Sequence, residues 1–234
     1  YRGKGIMRSK RYKSILEAKN EKTDTFQTLI PIIKKNCNTK FDESIDLSFQ
    51  INNKQKKNEI NIRTAVNLPS GTGKKIKIAV VCEDEKISNA KASGADIVGG
   101  DDLIEKIKSG DTNFEKLICT PGMMIKLSKL GKILGPKGLM PNPKLGTVNE
   151  DVGTAVKNAK SGQVEIRNDK DGNIGVSIGK KSFSDDKLIK NFEAIIETLE
   201  KEKSNSNIKG NLIKSSFITS TMGVSYKLKI EKNI

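Results

Sequence analysis

The sequence predicts an α+β domain that is split into two segments by an inserted, Rossmann-like α/β domain. Near both ends of the chain, apolar and polar residues alternate with a period of two, as in half-buried strands, next to amphipathic helical stretches. In the middle, short apolar runs alternate with helical patterns, which is typical of a parallel sheet with crossover helices. We place the outer domain at residues 1–65 and 160–234 and the insert at residues 66–159.

The composition favours a polyanionic partner. The 234 residues include 43 basic and 28 acidic side chains, a formal net charge of +15, which points to nucleic acid first and an acidic membrane surface second. Five of the basic residues are arginine, so lysine point charges dominate. No apolar run is long enough to span a bilayer and no secretory leader is visible, so we expect a soluble protein.

Enzymatic and metal chemistry is disfavoured by the residue types available. Without histidine, the chain lacks the usual acid–base group at neutral pH and the commonest metal ligand. Cys37, Cys82 and Cys119 are isolated and have no CxxC spacing, so we expect reduced, buried thiols. We therefore expect no catalysis, no cofactor and no metal site.

The first outer segment is predicted to hold two helices and a β-hairpin. Its elements are a basic helix over 8–19, a helix over 26–36 capped by Thr25, and strands over 41–51 and 60–66 separated by a polar turn at 52–58. Because the two strands follow each other across a short turn, we expect them to pair with each other.

The insert is predicted to alternate strands with helices. Its strands lie over 76–82, 95–98 and 117–119, and its helices follow the first strand and cover 103–108, 123–130 and 151–160. This order favours a parallel sheet with crossover connections.

Glycine-rich and acidic motifs in the insert do not form a nucleotide or metal site. The stretch Ser70 to Lys75 resembles a phosphate loop, but Leu68 stands where the Walker pattern requires glycine. We interpret it as the hinge into the insert. The acidic runs at 83–85 and 101–102 occur where helices should begin, and there they favour the helix dipole.

A loop from Gly131 to Val148 contains four glycines, three prolines and three lysines and no acidic residue. Proline fixes φ and removes a donor, and glycine allows tight turns, so we expect neither a plain helix nor a strand. Two interpretations remain open, a rigid connector with solvated lysines and a basic, pre-ordered surface for a polyanion.

The second outer segment returns to the α+β pattern. Its predicted elements are strands over 163–167 and 174–178 joined by a turn at 169–173, an amphipathic helix over 184–201 capped by Ser184, and strands over 212–219 and 224–230. The last two strands are joined by Ser220-Thr221-Met222-Gly223. In a folded split sheet, this turn and Lys40-Phe41-Asp42-Glu43 are expected to lie side by side.

These two stretches carry residue types that suit RNA. An aromatic ring with a neighbouring lysine, as in Lys40-Phe41, can stack on a base and hold a phosphate, and Thr221 with a glycine backbone can reach ribose hydroxyls. Taken alone, Phe41 is more often a core residue. Charge supports the outer domain as the anion-binding one, because the insert has 14 lysines and 11 acidic residues, a net of +3, which leaves +12 for the outer segments.

A family resemblance favours the RNA-binding interpretation. The run LGPKGLMPNPKLGTV, with the stretches at 40–43, 67–74, 94–96, 161–165 and 220–223, resembles the bacterial-type ribosomal protein L-one family over about residues 10–230. The resemblance implies an α+β split RNA-binding domain and an inserted α/β Rossmann-like domain that swings on two strands of chain. The hinge residues would be Asn67, Leu68, Pro69, Ala159 and Lys160.

The resemblance also implies a function and a set of contacts. The protein would be a non-catalytic monomer within the large ribosomal subunit that binds stalk rRNA, assists release of deacylated tRNA from the exit site and represses its own mRNA. A stand-alone mRNA-binding regulator and a nucleotide-dependent Rossmann enzyme are the alternatives. We expect a bacterial cytoplasmic ribosome, with a plastid or mitochondrial ribosome as the alternative. The implied rRNA contacts are Lys40, Phe41, Glu43, Arg167, Lys170, Ser220, Thr221, Met222 and Gly223, with Lys137 and Lys144 as possible secondary RNA contacts.

Overall fold

The computed structural model describes residues 9–17, 19, 23–52, 61–205 and 210–230. The helices in these ranges are α1 (Lys10–Glu17), α2 (Phe26–Asn36), α3 (Ile87–Ala92), α4 (Asp101–Lys108), α5 (Pro121–Ser128), α6 (Gly131–Leu134), α7 (Val152–Lys160) and α8 (Asp185–Asn205). The strands are β1 (Ser44–Ile51), β2 (Arg63–Asn67), β3 (Ile78–Val81), β4 (Ile97–Gly99), β5 (Lys116–Cys119), β6 (Gln163–Arg167), β7 (Asn173–Lys180), β8 (Ile213–Ser220) and β9 (Tyr226–Leu228). None of the helices described is long and apolar enough to cross a membrane.

The chain divides into two compact units. One consists of the segments up to Ile62 and from Ile166, and the other runs from Arg63 to Glu165. The second unit is therefore somewhat longer than the predicted insert at 66–159.

The first unit contains a four-stranded antiparallel sheet in the order β7-β1-β8-β9. The predicted period of two in β1 is confirmed, since Ile45, Leu47, Phe49 and Ile51 are buried and the residues between them are not. Helices α2 and α8 pack together, and the rings of Phe26 and Phe192 stack with centroids 4.1 Å apart. The apolar side chains of strands and helices thus form one core.

The predicted hairpin between residues 41–51 and 60–66 is wrong. Strand β1 pairs with β7 and β8, whereas β2 pairs with β6 in a separate two-stranded sheet. Most of the predicted polar turn lies outside the described residues. The alternation in β1 specifies which face is buried but not which strand lies beside it, so the pairing with distant strands left no local signal.

The turn predicted at 169–173 is confirmed, but it joins two different sheets. The Asp169 carboxylate accepts a hydrogen bond from the Asn173 N–H at 2.6 Å, and the Gly172 N–H donates to the Asp169 carbonyl. Thr25 stands at the predicted N-cap of α2, yet its side chain makes no capping hydrogen bond and contacts Thr28 instead.

The second unit contains a parallel three-stranded sheet in the order β4-β3-β5, as predicted. Every residue of β3 is buried, because helices cover both faces. One apolar layer includes Leu103, Leu127 and Leu134, and the other includes Val156 and Ala159.

The Gly131–Val148 loop is partly helical, which corrects the prediction. Its first four residues form α6, and Pro143–Leu145 form a 3-10 turn. Leu134 is fully buried, and this contact anchors the helical turn to the core in spite of its flanking glycines. The rest of the loop is irregular, as predicted, and Thr147 Oγ1 accepts a hydrogen bond from the Asn142 N–H at 2.7 Å.

The predicted hinge residues lie inside the second unit. Ala159 is fully buried in its core and Leu68 is also buried. The chain passes between the units further out, at 62–63 and 165–166. The second unit is longer than the predicted insert because β2 and β6 pair with each other. These two strands lie largely outside the alternating strands and helices from which the insert was predicted.

Candidate nucleic-acid interface

The stretch at 40–43 and the turn at 220–223 meet in the folded first unit, as the sequence predicted. Strands β1 and β8 are antiparallel, and Ile45 stands opposite Ser220. Beyond this pair, the Thr221 N–H donates to the Ser44 carbonyl at 3.0 Å, and the Ser44 N–H donates to Thr221 Oγ1 at 3.0 Å. The end of one strand is thus bonded directly to the start of the other.

The buried side chain of Glu43 connects the stretch 40–43 to the turn 220–223. Its side chain is completely buried and accepts hydrogen bonds from the Thr39 hydroxyl at 2.8 Å and from the Met222 N–H at 3.1 Å. Burial alone would raise the pKa of the Glu43 carboxyl, but the hydrogen bonds from Thr39, Met222 and Ser220 outweigh it and lower that pKa below its ordinary value. Glu43 is therefore ionised at neutral pH.

The turn requires glycine at its last position. A β-carbon at Gly223 would lie 2.3 Å from the Ser220 hydroxyl oxygen, which is closer than two such atoms can approach. The Gly223 N–H donates to the Ser220 carbonyl at 3.1 Å and closes the turn. Gly223 is thus needed for the close approach of the turn to its own first residue.

Two large apolar side chains are presented to solvent here. The side chains of Phe41 and Met222 are 52% and 48% exposed, although residues of these types are usually buried. Lys40 and Thr221 are also exposed. The surface formed by Lys40, Phe41, Thr221, Met222 and Gly223, which we call the turn surface, therefore combines an aromatic ring, a flexible thioether, a hydroxyl and a positive charge.

Glu43 and Ser220 were predicted as RNA contacts, and the structure places both side chains in the interior. Glu43 is 0% exposed and Ser220 is 3% exposed, so both lie beneath the turn surface. Their position explains why they accompany the motif: they hold the Met222 N–H and the interior of the turn. Sequence alone does not separate a residue that touches a ligand from one that supports it.

Arg167 and Lys170 are exposed but lie far from the turn surface. Strand β7 pairs with β1 so that Lys180 stands opposite Ser44 and Asn173 opposite Gln50. The turn that contains Lys170 is therefore at the other end of these strands, about 20 Å away at ~3.4 Å per residue. The predicted contacts form two groups, and a single nucleotide cannot reach both.

Lys137 and Lys144, in the second unit, are both exposed. The Lys137 ammonium donates to the Thr112 hydroxyl, and the Lys144 N–H donates to the Asn142 side-chain oxygen at 2.9 Å. The backbone hydrogen bond orders the loop and leaves the charge of Lys144 available.

Sequence reasoning missed three polar side chains that support the turn surface. Arg11 donates from Nη2 to the Met222 carbonyl at 2.7 Å, Asp42 accepts from the Ser182 N–H and hydroxyl, and Lys180 donates to the Ser44 hydroxyl at 3.0 Å. Each contact joins residues at least 136 positions apart in sequence. The only local signal was that Arg11 is one of five arginines in a lysine-rich chain.

The three cysteines are buried, as predicted. Burial raises the pKa of the Cys119 thiol to about 11 and also raises those of Cys37 and Cys82 above their ordinary value, so the unreactive thiol form dominates at neutral pH. Within the described residues, no group of three cysteine, aspartate or glutamate side chains is arranged to hold a metal ion.

Comparison with known proteins gives a consistent result over nearly the whole chain. The model of the Ribosomal protein L1p/L10e family matches residues 33–224. The chain is 71% identical over 229 residues to the large ribosomal subunit protein uL1 of Pelagibacter ubique, covering 97% of this chain and 100% of that protein. It is 45% identical over 224 residues to uL1 of Prochlorococcus marinus (strain NATL1A), with coverage of 96% and 95%. It is 44% identical over 228 residues to uL1c of Arabidopsis thaliana, covering 97% of this chain and 66% of that protein.

Proposed function

We propose that this chain, which belongs to the Ribosomal protein L1p/L10e family, binds the rRNA of the stalk through the turn surface. The relatives compared above are bacterial-type proteins of the large ribosomal subunit and are not enzymes. The single observation that carries this proposal is the exposure of Phe41 and Met222 on a scaffold held by the buried Glu43. Two exposed apolar side chains on a rigid polar support form a stacking platform.

Recognition is divided between shape and charge. Phe41 and Met222 stack on or pack against bases and sugars, and the Thr221 hydroxyl lies at the same edge, where it can hydrogen-bond to ribose. Lys40, Arg167 and Lys170 attract phosphates along a longer footprint, since the last two lie about 20 Å from the turn surface. An RNA helix with an adjoining irregular element is long enough to contact both groups.

Two further roles belong to this proposal. Exit-site tRNA is a second RNA partner, with the exposed Lys137 and Lys144 as its contacts in the second unit. The protein's own mRNA is a third partner and would be bound by the turn surface if it carries a structure similar to the stalk. Regulation as a stand-alone mRNA-binding protein is the competing function, and it predicts absence from purified ribosomes. The bacterial relatives favour the cytoplasmic ribosome of a bacterium.

The first experiment is a salt titration of binding to a stalk-rRNA fragment and to a scrambled duplex of equal length. Selective binding that survives moderate salt supports readout by the turn surface. Equal and salt-sensitive binding to both RNAs would mean that the net charge acts alone.

The second experiment removes the readout groups and keeps the charge. In the double variant Thr221→Val, Met222→Ala, selectivity for the stalk fragment should fall, whereas residual binding to the scrambled duplex should not change. Unchanged selectivity would show that the turn surface is not the site.

A further inference from the structure

The described part of α1 approaches the turn surface through the side chain of Arg11. Its Nη2 donates to the Met222 carbonyl at 2.7 Å, across 211 positions of sequence. The Met222 N–H donates to the buried Glu43 carboxylate at 3.1 Å. The backbone of Met222 is therefore held at both its polar groups by side chains of opposite charge.

We propose that Arg11 is a positioning residue for RNA binding, which fixes the Met222 backbone and thereby the turn surface, and that it makes no phosphate contact itself. This inference rests on the proposed function, because it assigns a role within the same RNA-binding surface. Hydrogen bonds to ionised groups are shorter and stronger than neutral ones. Such bonds hold both the N–H and the carbonyl of Met222, so these backbone groups are not free to bind RNA. The half-exposed side chain of Met222 is the part that contacts RNA.

The burial of one nitrogen of the Arg11 guanidinium favours positioning over direct contact. Arg11 Nη1 is buried, and in the described part of the chain it has no hydrogen-bond partner. A nitrogen that water cannot reach is not accessible to a phosphate oxygen either. Lys10 and Lys13 on the same helix are exposed and remain available for phosphates. Helix α1 thus carries Arg11, which bonds to the Met222 carbonyl, and the lysines Lys10 and Lys13, which are exposed to solvent.

Holding the turn in place before binding lowers the cost of binding. A surface turn without these bonds would have to be ordered when RNA arrives, and that ordering weakens affinity. Because a pre-ordered site mainly slows dissociation, loss of Arg11 should raise the dissociation rate constant. It should not change the number of phosphates contacted.

The first test uses the free protein. Arg11→Met is compared with Arg11→Lys and with Lys13→Met, which removes an exposed charge from the same helix. With 13C-methyl-labelled methionine, the Met222 resonance should shift in Arg11→Met, while those of Met123, Met124 and Met140 in the other unit stay in place. Lys13→Met should leave the Met222 resonance unchanged. A Met222 resonance that does not move in Arg11→Met would overturn the proposal.

The second test uses the stalk-rRNA fragment and the same three variants. Arg11→Met should lower affinity by about 10- to 150-fold, the range that corresponds to losing one hydrogen bond to a charged group, with an unchanged slope of log affinity against log salt. Arg11→Lys should recover part of the affinity. Lys13→Met should show the opposite pattern, a slope reduced by up to about one unit with a small loss of affinity. A reduced slope in Arg11→Met would identify a direct phosphate contact and overturn the positioning role.

The outcomes distinguish this inference from the proposed function. If the wild-type protein does not discriminate between stalk and scrambled RNA, the proposed function fails. If it discriminates and Arg11→Met binds as the wild type does, the proposed function stands and the role of Arg11 is refuted.

Discussion

Replacing Glu43 with glutamine tests whether the buried carboxylate supports the turn surface. The substitution keeps the size of the side chain and removes its charge. The carboxylate accepts from the Met222 N–H and from the hydroxyls of Thr39 and Ser220. A glutamine oxygen can still accept from the Met222 N–H, and a hydroxyl can rotate to accept from the new amide group. The main loss is therefore the conversion of charge-assisted bonds to neutral ones.

The structure sets the size of the effect. Hydrogen bonds to charged groups contribute roughly 1.5–3 kcal/mol and neutral ones about 1 kcal/mol. We therefore expect Glu43→Gln to lower the free energy of unfolding of the first unit by about 1–2 kcal/mol. For a chain of this length, that change lowers the unfolding temperature by roughly 2–8 °C. Glu197→Gln, an exposed change on α8, is the matched control and should leave the unfolding temperature unchanged.

The lowered pKa of Glu43 determines how the stability difference between wild type and Glu43→Gln changes with pH. The pKa of Glu43 is lower in the folded protein than its ordinary value, so its contribution to stability is complete above the unfolded-state pKa of about 4.3. That contribution disappears as pH falls through the folded-state pKa. Glutamine does not titrate, so the stability difference between wild type and Glu43→Gln should be largest at neutral pH and shrink as the solution becomes acidic. Calorimetry from pH 7 to pH 3 measures it, and a difference that stays constant or grows towards acid would refute the reasoning.

Three other substitutions test the exposed and buried parts of the interface separately. Phe41→Ala should weaken stalk-RNA binding by about 1–3 kcal/mol, the cost of losing one stacked base, without lowering the unfolding temperature, because the ring is half exposed; calorimetry and fluorescence titration measure the two effects. Gly223→Ala should weaken binding and stability together, because the new methyl group displaces the Ser220 hydroxyl from Glu43; normal binding would show that the turn adapts. Lys170→Met should lower the salt slope by about one unit and affect all RNAs alike; an unchanged slope would exclude a phosphate contact there.

Much of the fold could be predicted from periodicity, because burial imposes it locally. The alternation in β1 and the apolar run of β3 are properties of short windows. The choice of strand partners is not a property of a short window of sequence. Strand β1 pairs with residues 173–180 and 213–220, and nothing within β1 specifies them. The hairpin prediction failed because sequence proximity is a weaker constraint than the formation of a continuous core.

The proximity of the two stretches was predictable from the sequence, but the burial of their individual residues was not. The stretch 40–43 and the turn 220–223 were expected to lie side by side, and they do. Whether a side chain points outward depends on the packing beneath it. Phe41, an apolar residue, is exposed, whereas Glu43, a charged residue two positions later, is buried. Residue type alone would have assigned the opposite burial to each.

Burial therefore predicts which quantity each substitution changes. Under the proposed function, a side chain that bonds the Met222 backbone, such as Glu43 or Arg11, acts on RNA through the geometry of Met222, so its loss should raise the dissociation rate and leave the salt slope unchanged. An exposed lysine such as Lys40 acts through phosphate, so its loss should lower the salt slope and leave protein stability unchanged. The salt slope of RNA binding and the unfolding temperature, measured for variants of supporting residues and of exposed lysines, are two independent readouts. If Glu43→Gln lowers the salt slope, or Lys40→Met lowers the unfolding temperature, then exposure in the free protein does not separate support from contact at this interface.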